Sequence, residues 1–169
     1  MFDLDTQSEA AAVARSASAD KPTLYAALTA DLRALLHHEH DPIANAANMS
    51  SLIYHTLPDL TWAGVYLLKE GELVLGPFQG KPACVRIAIG RGVCGTAAAR
   101  RTSVVVPDVN EFPGHIACDS ASRSELVVPL IKGDQLLGVL DLDSPTPGRF
   151  DDADREGCEA LASVFLDAL

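Results

Sequence analysis

The sequence has little of several things that would declare a function outright. Only 4 of its 169 residues are cysteine, too few for a disulfide-dense secreted scaffold. No two of them form a CxxC pair, the spacing that marks most structural zinc sites. Cations are scarce as well: 13 Lys+Arg stand against 23 Asp+Glu, a formal net charge of −10. That balance speaks against nucleic acid and anionic membranes as partners, because both repel it. No run approaches about 20 uninterrupted apolar residues, so no membrane-spanning helix is expected. The opening stretch, MFDLDTQSEAAAVARSASAD, is acidic where a secretory leader would be basic. The expectation is a cytoplasmic chain with reduced thiols. Aromatics make up 5% and include a single tryptophan, Trp62.

What is present is globular in character, 48% hydrophobic and 21% charged. Residues 1–19 are small, polar and unpatterned and read as a flexible extension, leaving 20–169 as one domain. Asp20 followed by Pro22 starts a helix with Leu24, Leu28, Leu32, Leu35 and Leu36 in one stripe. Asp41-Pro42 starts a second, running towards His55. Beyond Pro58 the apolar period shortens from 3.6 to 2. Strands are expected over Trp62–Leu68, Leu73–Phe78, Cys84–Ile89, Ser103–Val106, Glu125–Ile131 and Leu136–Asp143. Lys69-Glu70-Gly71 and Lys132-Gly133-Asp134 suit hairpin turns. A short helix is expected over Gly92–Arg100. A last one begins at Asp151 and turns Leu161, Val164 and Phe165 inward, with Cys158 as packing. The fold class is therefore α+β: an antiparallel sheet of about six strands with helices on one face.

Alternation assigns the other face a different chemistry. Ala63, Val65 and Leu67 point away from Trp62 and Tyr66; Leu140 and Leu142 point away from Asp141 and Asp143. Glu125 is out of phase with Leu126, Val128 and Leu130. Val85, Ile87 and Ile89 are expected on the aliphatic side, leaving Cys84 with Arg86 opposite. If loops roof this second face, it forms a pocket with an aromatic wall and several carboxylates, suited to a small cationic ligand. Neighbouring carboxylates raise one another's pKa, so one can hold a proton near neutrality. The plainer alternative is an exposed sheet whose aspartates face water.

Two cysteines qualify as a reactive thiol. Cys94 sits at the start of the short helix, where backbone N–H groups favour a thiolate. Cys118 sits in the long connection after Pro107, with His115 and Arg123 nearby to lower its pKa. Spacing does not choose between them. A zinc site from Cys84, Cys94, Cys118 and His115 has suitable ligand types but lacks a chelating pair, so no metal is expected.

The segments GPFQGKPAC, GVCG, FPGHIACDSASRSELVVP and VLDLDSP closely resemble the free methionine-(R)-sulfoxide reductases, which are single GAF-domain proteins. The likeness runs from about Lys21 to the last helix. It implies reduction of free L-methionine-(R)-S-oxide to methionine, by way of a sulfenic acid and an intramolecular disulfide that thioredoxin recycles. On that resemblance Cys118 is the nucleophile, Cys84 the main resolving cysteine, and Cys94 able to enter a disulfide. Glu125 and Asp143 act nearest the sulfoxide and Asp141 meets the ammonium. Trp62 and Tyr66 wall the thioether, and backbone around Ile116 and Ala117 meets the carboxylate. No bound cofactor is implied, and a homodimer is. The rival expectation is a non-catalytic GAF module that binds a small molecule or senses redox state.

Overall fold

Both Asp–Pro signals become helix starts in the computed structural model, which describes residues 20–116 and 120–169. Asp20 caps α1 (Lys21–Leu35), its side chain accepting from the Thr23 N–H at 3.0 Å. Asp41 caps α2 (Pro42–Thr56) by accepting from the Ile43 and Ala44 amides. Each proline stands in a first turn, where its missing N–H leaves no helical bond unmade. The chain then lays down β1 (Trp62–Lys69), β2 (Glu72–Gly80), β3 (Arg86–Ala88), α3 (Gly92–Arg100) and β4 (Val104–Val106). It ends with β5 (Ser124–Lys132), β6 (Gln135–Ser144) and α4 (Asp152–Ala168).

The six strands form one sheet in the order β3-β2-β1-β6-β5-β4, every neighbouring pair antiparallel. The β1–β2 hairpin turns through Glu70 and Gly71, both at positive φ, which matches the twist of its strands. At α4, Asp151 and Asp154 cap one another reciprocally, so the helix begins where two aspartates three apart place it.

The sheet separates two cores. On one face α1, α2 and α4 bury Leu28, Leu32, Met49, Ile53, Leu161 and Phe165 against Val65, Leu126, Leu140 and Leu142. The α1 stripe differs from expectation at its end: Leu35 is exposed and Tyr25 is buried instead. Tyr25 earns that place through its hydroxyl, which donates to the buried Asp154 at 3.0 Å. On the opposite face lie Trp62, Tyr66, Leu73, Val127 and Val139, covered by α3. The short helix thus belongs to the roof of the second face, while the three longer helices share the first.

One expected strand is cut down. Cys84–Ile89 shrinks to Arg86–Ala88, paired only with Glu72–Val74 of β2. It is an edge strand. Val85 and Ile89 are exposed and Ile87 is buried on the pocket side, so the three do not form an aliphatic row towards the helices. Residues 1–19, Ala117 and Cys118 lie outside the described residues.

Candidate active site

Strand register assembles the acidic cluster. Asp143 on β6 stands opposite Trp62 on β1 and opposite Glu125 on β5. Two residues back, Asp141 stands between Gly64 and Val127. Like charges directly opposite one another destabilise a sheet, so a Glu125–Asp143 pair serves something other than the fold. Glu125 and Asp141 are buried at 6% exposure each.

The aromatic wall rises from β1 and β2. Trp62 stacks on Phe78, ring centroids 5.3 Å apart, and on Tyr66 at 5.8 Å. Gly64 makes room for this: a Cβ there would run into the Trp62 and Phe78 side chains. The polar ends are tied down too. The Trp62 indole N–H donates to the Lys81 carbonyl at 3.2 Å, and the Tyr66 hydroxyl donates to the Cys84 carbonyl at 3.0 Å. Both bonds fasten the β2–β3 connection, which carries Cys84, to the wall.

Wall and loops together enclose a small cavity with an open mouth. Trp62, Tyr66, Cys94, Glu125, Asp141, Asp143 and Ile116 all line it. All of these are residues that the sequence singles out. Sequence reasoning did not identify Lys81, Arg91 and Ser122, which also line the cavity, nor His115 as a contact of Glu125. Alternation could not find them, because they sit in connections. The only signal was proximity, within GPFQGKPAC, GRGVCG and FPGHIACDSASRSELVVP, to residues already singled out. Ala117 and Cys118 again fall outside the description.

The electrostatics follow from burial. Glu125 is held well above the usual carboxylate range by desolvation first, then by Asp141 and Asp143. Asp141 is raised as well, by desolvation and Asp143, while the neighbouring Cys94 and Glu125 partly offset the rise. Burial and mutual repulsion thus bias both carboxyls of the pair towards holding a proton. The Asp141 Oδ1 atom is buried and has no hydrogen-bond partner among the described residues. A cavity with an acceptor in that state is shaped for a donor that arrives with a ligand.

One expectation about the thiols changes. Cys94 does occupy the first turn of α3, yet its thiol is pushed well above its ordinary value by burial and then by Asp141 and Glu125. It stays a thiol and donates to Glu125 Oε1 at 3.9 Å. A helix N-terminus contributes up to about 2 kcal/mol, which burial beside two carboxylates outweighs. Arg123 pairs with Asp108 at 2.9 Å, and the expectation that it also acts on Cys118 lies outside the described residues. Cys84 is in a disulfide, whereas Cys94 and Cys158 are free. A disulfide sulfur is no zinc ligand, so the four-residue site built on Cys84 has lost a member. Among the described residues, Cys94, Glu125 and Asp141 are the group near enough to share a metal ion. Cys158 is packing, as expected, buried beside the Tyr25 hydroxyl and pushed up to about 12 by desolvation.

Comparison with known proteins gives a consistent answer. Residues 20–168 match the GAF domain family. The free methionine-R-sulfoxide reductase of Escherichia coli is 53% identical over 144 residues, 85% of this chain and 87% of that protein. The Staphylococcus aureus fRMsr in complex with substrate superposes with a TM-score of 0.83 at 50% identity, covering 86% and 95% of the two chains. The free methionine-R-sulfoxide reductase of Neisseria meningitidis, also with its substrate, gives 0.86 at 42% identity and covers 89% and 91%.

Proposed function

The chain belongs to the GAF domain family and, within it, to the free methionine-R-sulfoxide reductases; from that premise we propose how its residues carry the reaction. The substrate is free methionine-R-sulfoxide, and methionine is the product. The observation that carries the reading is the buried, unpartnered Asp141 Oδ1 beside a proton-bearing Glu125 under an aromatic wall. An ammonium group satisfies Asp141, and a sulfoxide oxygen accepts from Glu125 with Asp143 alongside. Trp62 and Tyr66 take the methyl and thioether, where apolar aromatic faces cost no hydrogen bond. Main-chain N–H groups around Ile116 and Ala117 meet the carboxylate.

The steps balance. The Cys118 thiolate attacks the sulfoxide sulfur as the oxygen takes the proton from Glu125; the hydroxyl then passes to the Cys118 sulfur as the S–O bond and the new S–S bond to the substrate sulfur break. Methionine leaves and Cys118 carries a sulfenic acid. The Cys84 thiol then attacks that sulfur and expels water, forming the disulfide. Cys84 in a disulfide, with Cys94 and Cys158 free, supports this pairing. Cys94, a buried thiol on Glu125, is a reserve partner for Cys118 rather than the first attacker. A dithiol of the thioredoxin class returns the enzyme to its reduced form by exchange. The chain works in the cytoplasm, as a homodimer, on the same reading.

The test uses reduced protein without recycling reductant, mixed with R and S epimers of free methionine sulfoxide and with an R-sulfoxide inside a peptide. Methionine should form from the free R epimer alone, in a single turnover that Cys118→Ser abolishes. Cys84→Ser should keep the first turnover and lose thioredoxin-coupled recycling. Full activity of Cys118→Ser would reject the assignment, and saturable binding with no methionine formed would favour a sensor.

A further inference from the structure

Glu125 meets two different groups with its two oxygens. Oε1 accepts from the Cys94 thiol inside the cavity. Oε2 lies 3.7 Å from the His115 Nε2, on the side where the loop after Val109–Glu111 closes the site. The His115 side chain is 15% exposed and that of Glu125 is 8%. The ring therefore bridges the buried acid and the surface. Its backbone is held there, the His115 N–H donating to the Phe112 carbonyl at 3.1 Å.

The charges around this contact define a problem. Cys94 on α3, Asp141 and Asp143 on β6 and Tyr66 on β1 all face Glu125. None of them is a cation. Arg91 and Lys81 stand at the same cavity, but the ion-pair partner of Glu125 among the described residues is His115. If Glu125 gave up its proton and stayed ionised, a further bare carboxylate would remain in a buried site beside Asp141 and Asp143. Burying an uncompensated charge is among the costliest changes a site can undergo.

We propose that His115 is a positioning residue for Glu125 that reloads it: as one carboxyl oxygen gives its proton to the sulfoxide, the other takes one from His115 Nε2. The imidazole regains a proton from solvent at Nδ1, so the carboxyl never stands ionised through the step. Charge and atoms balance. One proton leaves Glu125, one arrives from His115, and one enters the ring from water. Burial lowers the affinity of the ring for a proton, which suits a group that must release it. The inference rests on the reductase reading and adds to it a proton path.

His115→Ala and His115→Gln test it in the full-length chain. Single-turnover methionine formation should fall about 10²-fold in both, the span of general acid–base contributions, with substrate affinity by calorimetry unchanged. Glutamine can hold Oε2 by a hydrogen bond but cannot pass a proton, so its loss separates relay from mere orientation. Added imidazole should restore His115→Ala saturably. An unimpaired His115→Gln, or a slow His115→Ala that imidazole leaves slow, would overturn the proposal. Absence of methionine formation in the wild-type chain would instead reject the reductase reading beneath it.

Discussion

At the scale of single residues, Glu125 sets stability against activity. A carboxyl that keeps its proton longer in the fold than in the unfolded chain binds more protons when native. Its contribution is then whole below its ordinary value of 4.5 and is lost as pH rises towards the folded value. Asp151 works the other way: Lys21 lowers it to about 2, so its share is present above the ordinary aspartate value and lost only in strong acid. Glu125→Gln should therefore flatten the decline in Tm as pH rises above 4.5 and leave the variant more stable than wild type at the alkaline end. The same variant should form methionine about 10²-fold more slowly or worse. A thermal melt series and a single-turnover assay check both halves; a variant that melts in parallel with wild type across that range would contradict the buried-acid account. Glu125 was legible in the sequence because it breaks the phase of its strand. The protonation of Cys94 was not, because it depends on carboxylates that reach it from β5 and β6.

At the scale of elements, the caps and turns were written plainly. Asp20, Asp41 and Asp151 each start the helix expected of them, and Gly71 closes its hairpin. The failures have a common physical source. Val85 and Ile89 looked like core residues, but β3 is a three-residue edge strand that leaves both exposed. Tyr25 was overlooked in α1 because its burial depends on Asp154, far along the chain. The α1–α4 contact also explains a glycine inside a helix. At Gly157 a Cβ would run into the Tyr25 ring, and the ring cannot swing away without giving up its bond to Asp154. Gly157→Ala gains about 1 kcal/mol of helix propensity, yet overpacking of this kind costs about 1–3 kcal/mol. Urea unfolding should show a net loss of stability. A stabilised variant would mean that Tyr25 yields easily.

For the whole molecule, the sheet acts as a partition: one face spends its residues on packing three helices, the other on a cavity that the α3 helix and the loops roof. The acid surplus divides in the same way, with Glu125, Asp141 and Asp143 inside and most of the remainder on the surface. No helix among the described residues is long and apolar enough to cross a membrane. The family match begins at residue 20, where the α1 cap begins. A chain starting at Asp20 should keep its turnover and lie within about 0.5 kcal/mol of the full-length stability, the usual range for changes away from the core. Loss of either in that truncation would give residues 1–19 a role in the domain. One further consequence lies in the aromatic wall. Trp62 is the sole tryptophan of the chain, and it lies against the cavity between Tyr66 and Phe78. Its emission therefore has a single origin, so the native protein carries its own optical probe, able to follow ligand entry and thiol oxidation in real time without a label.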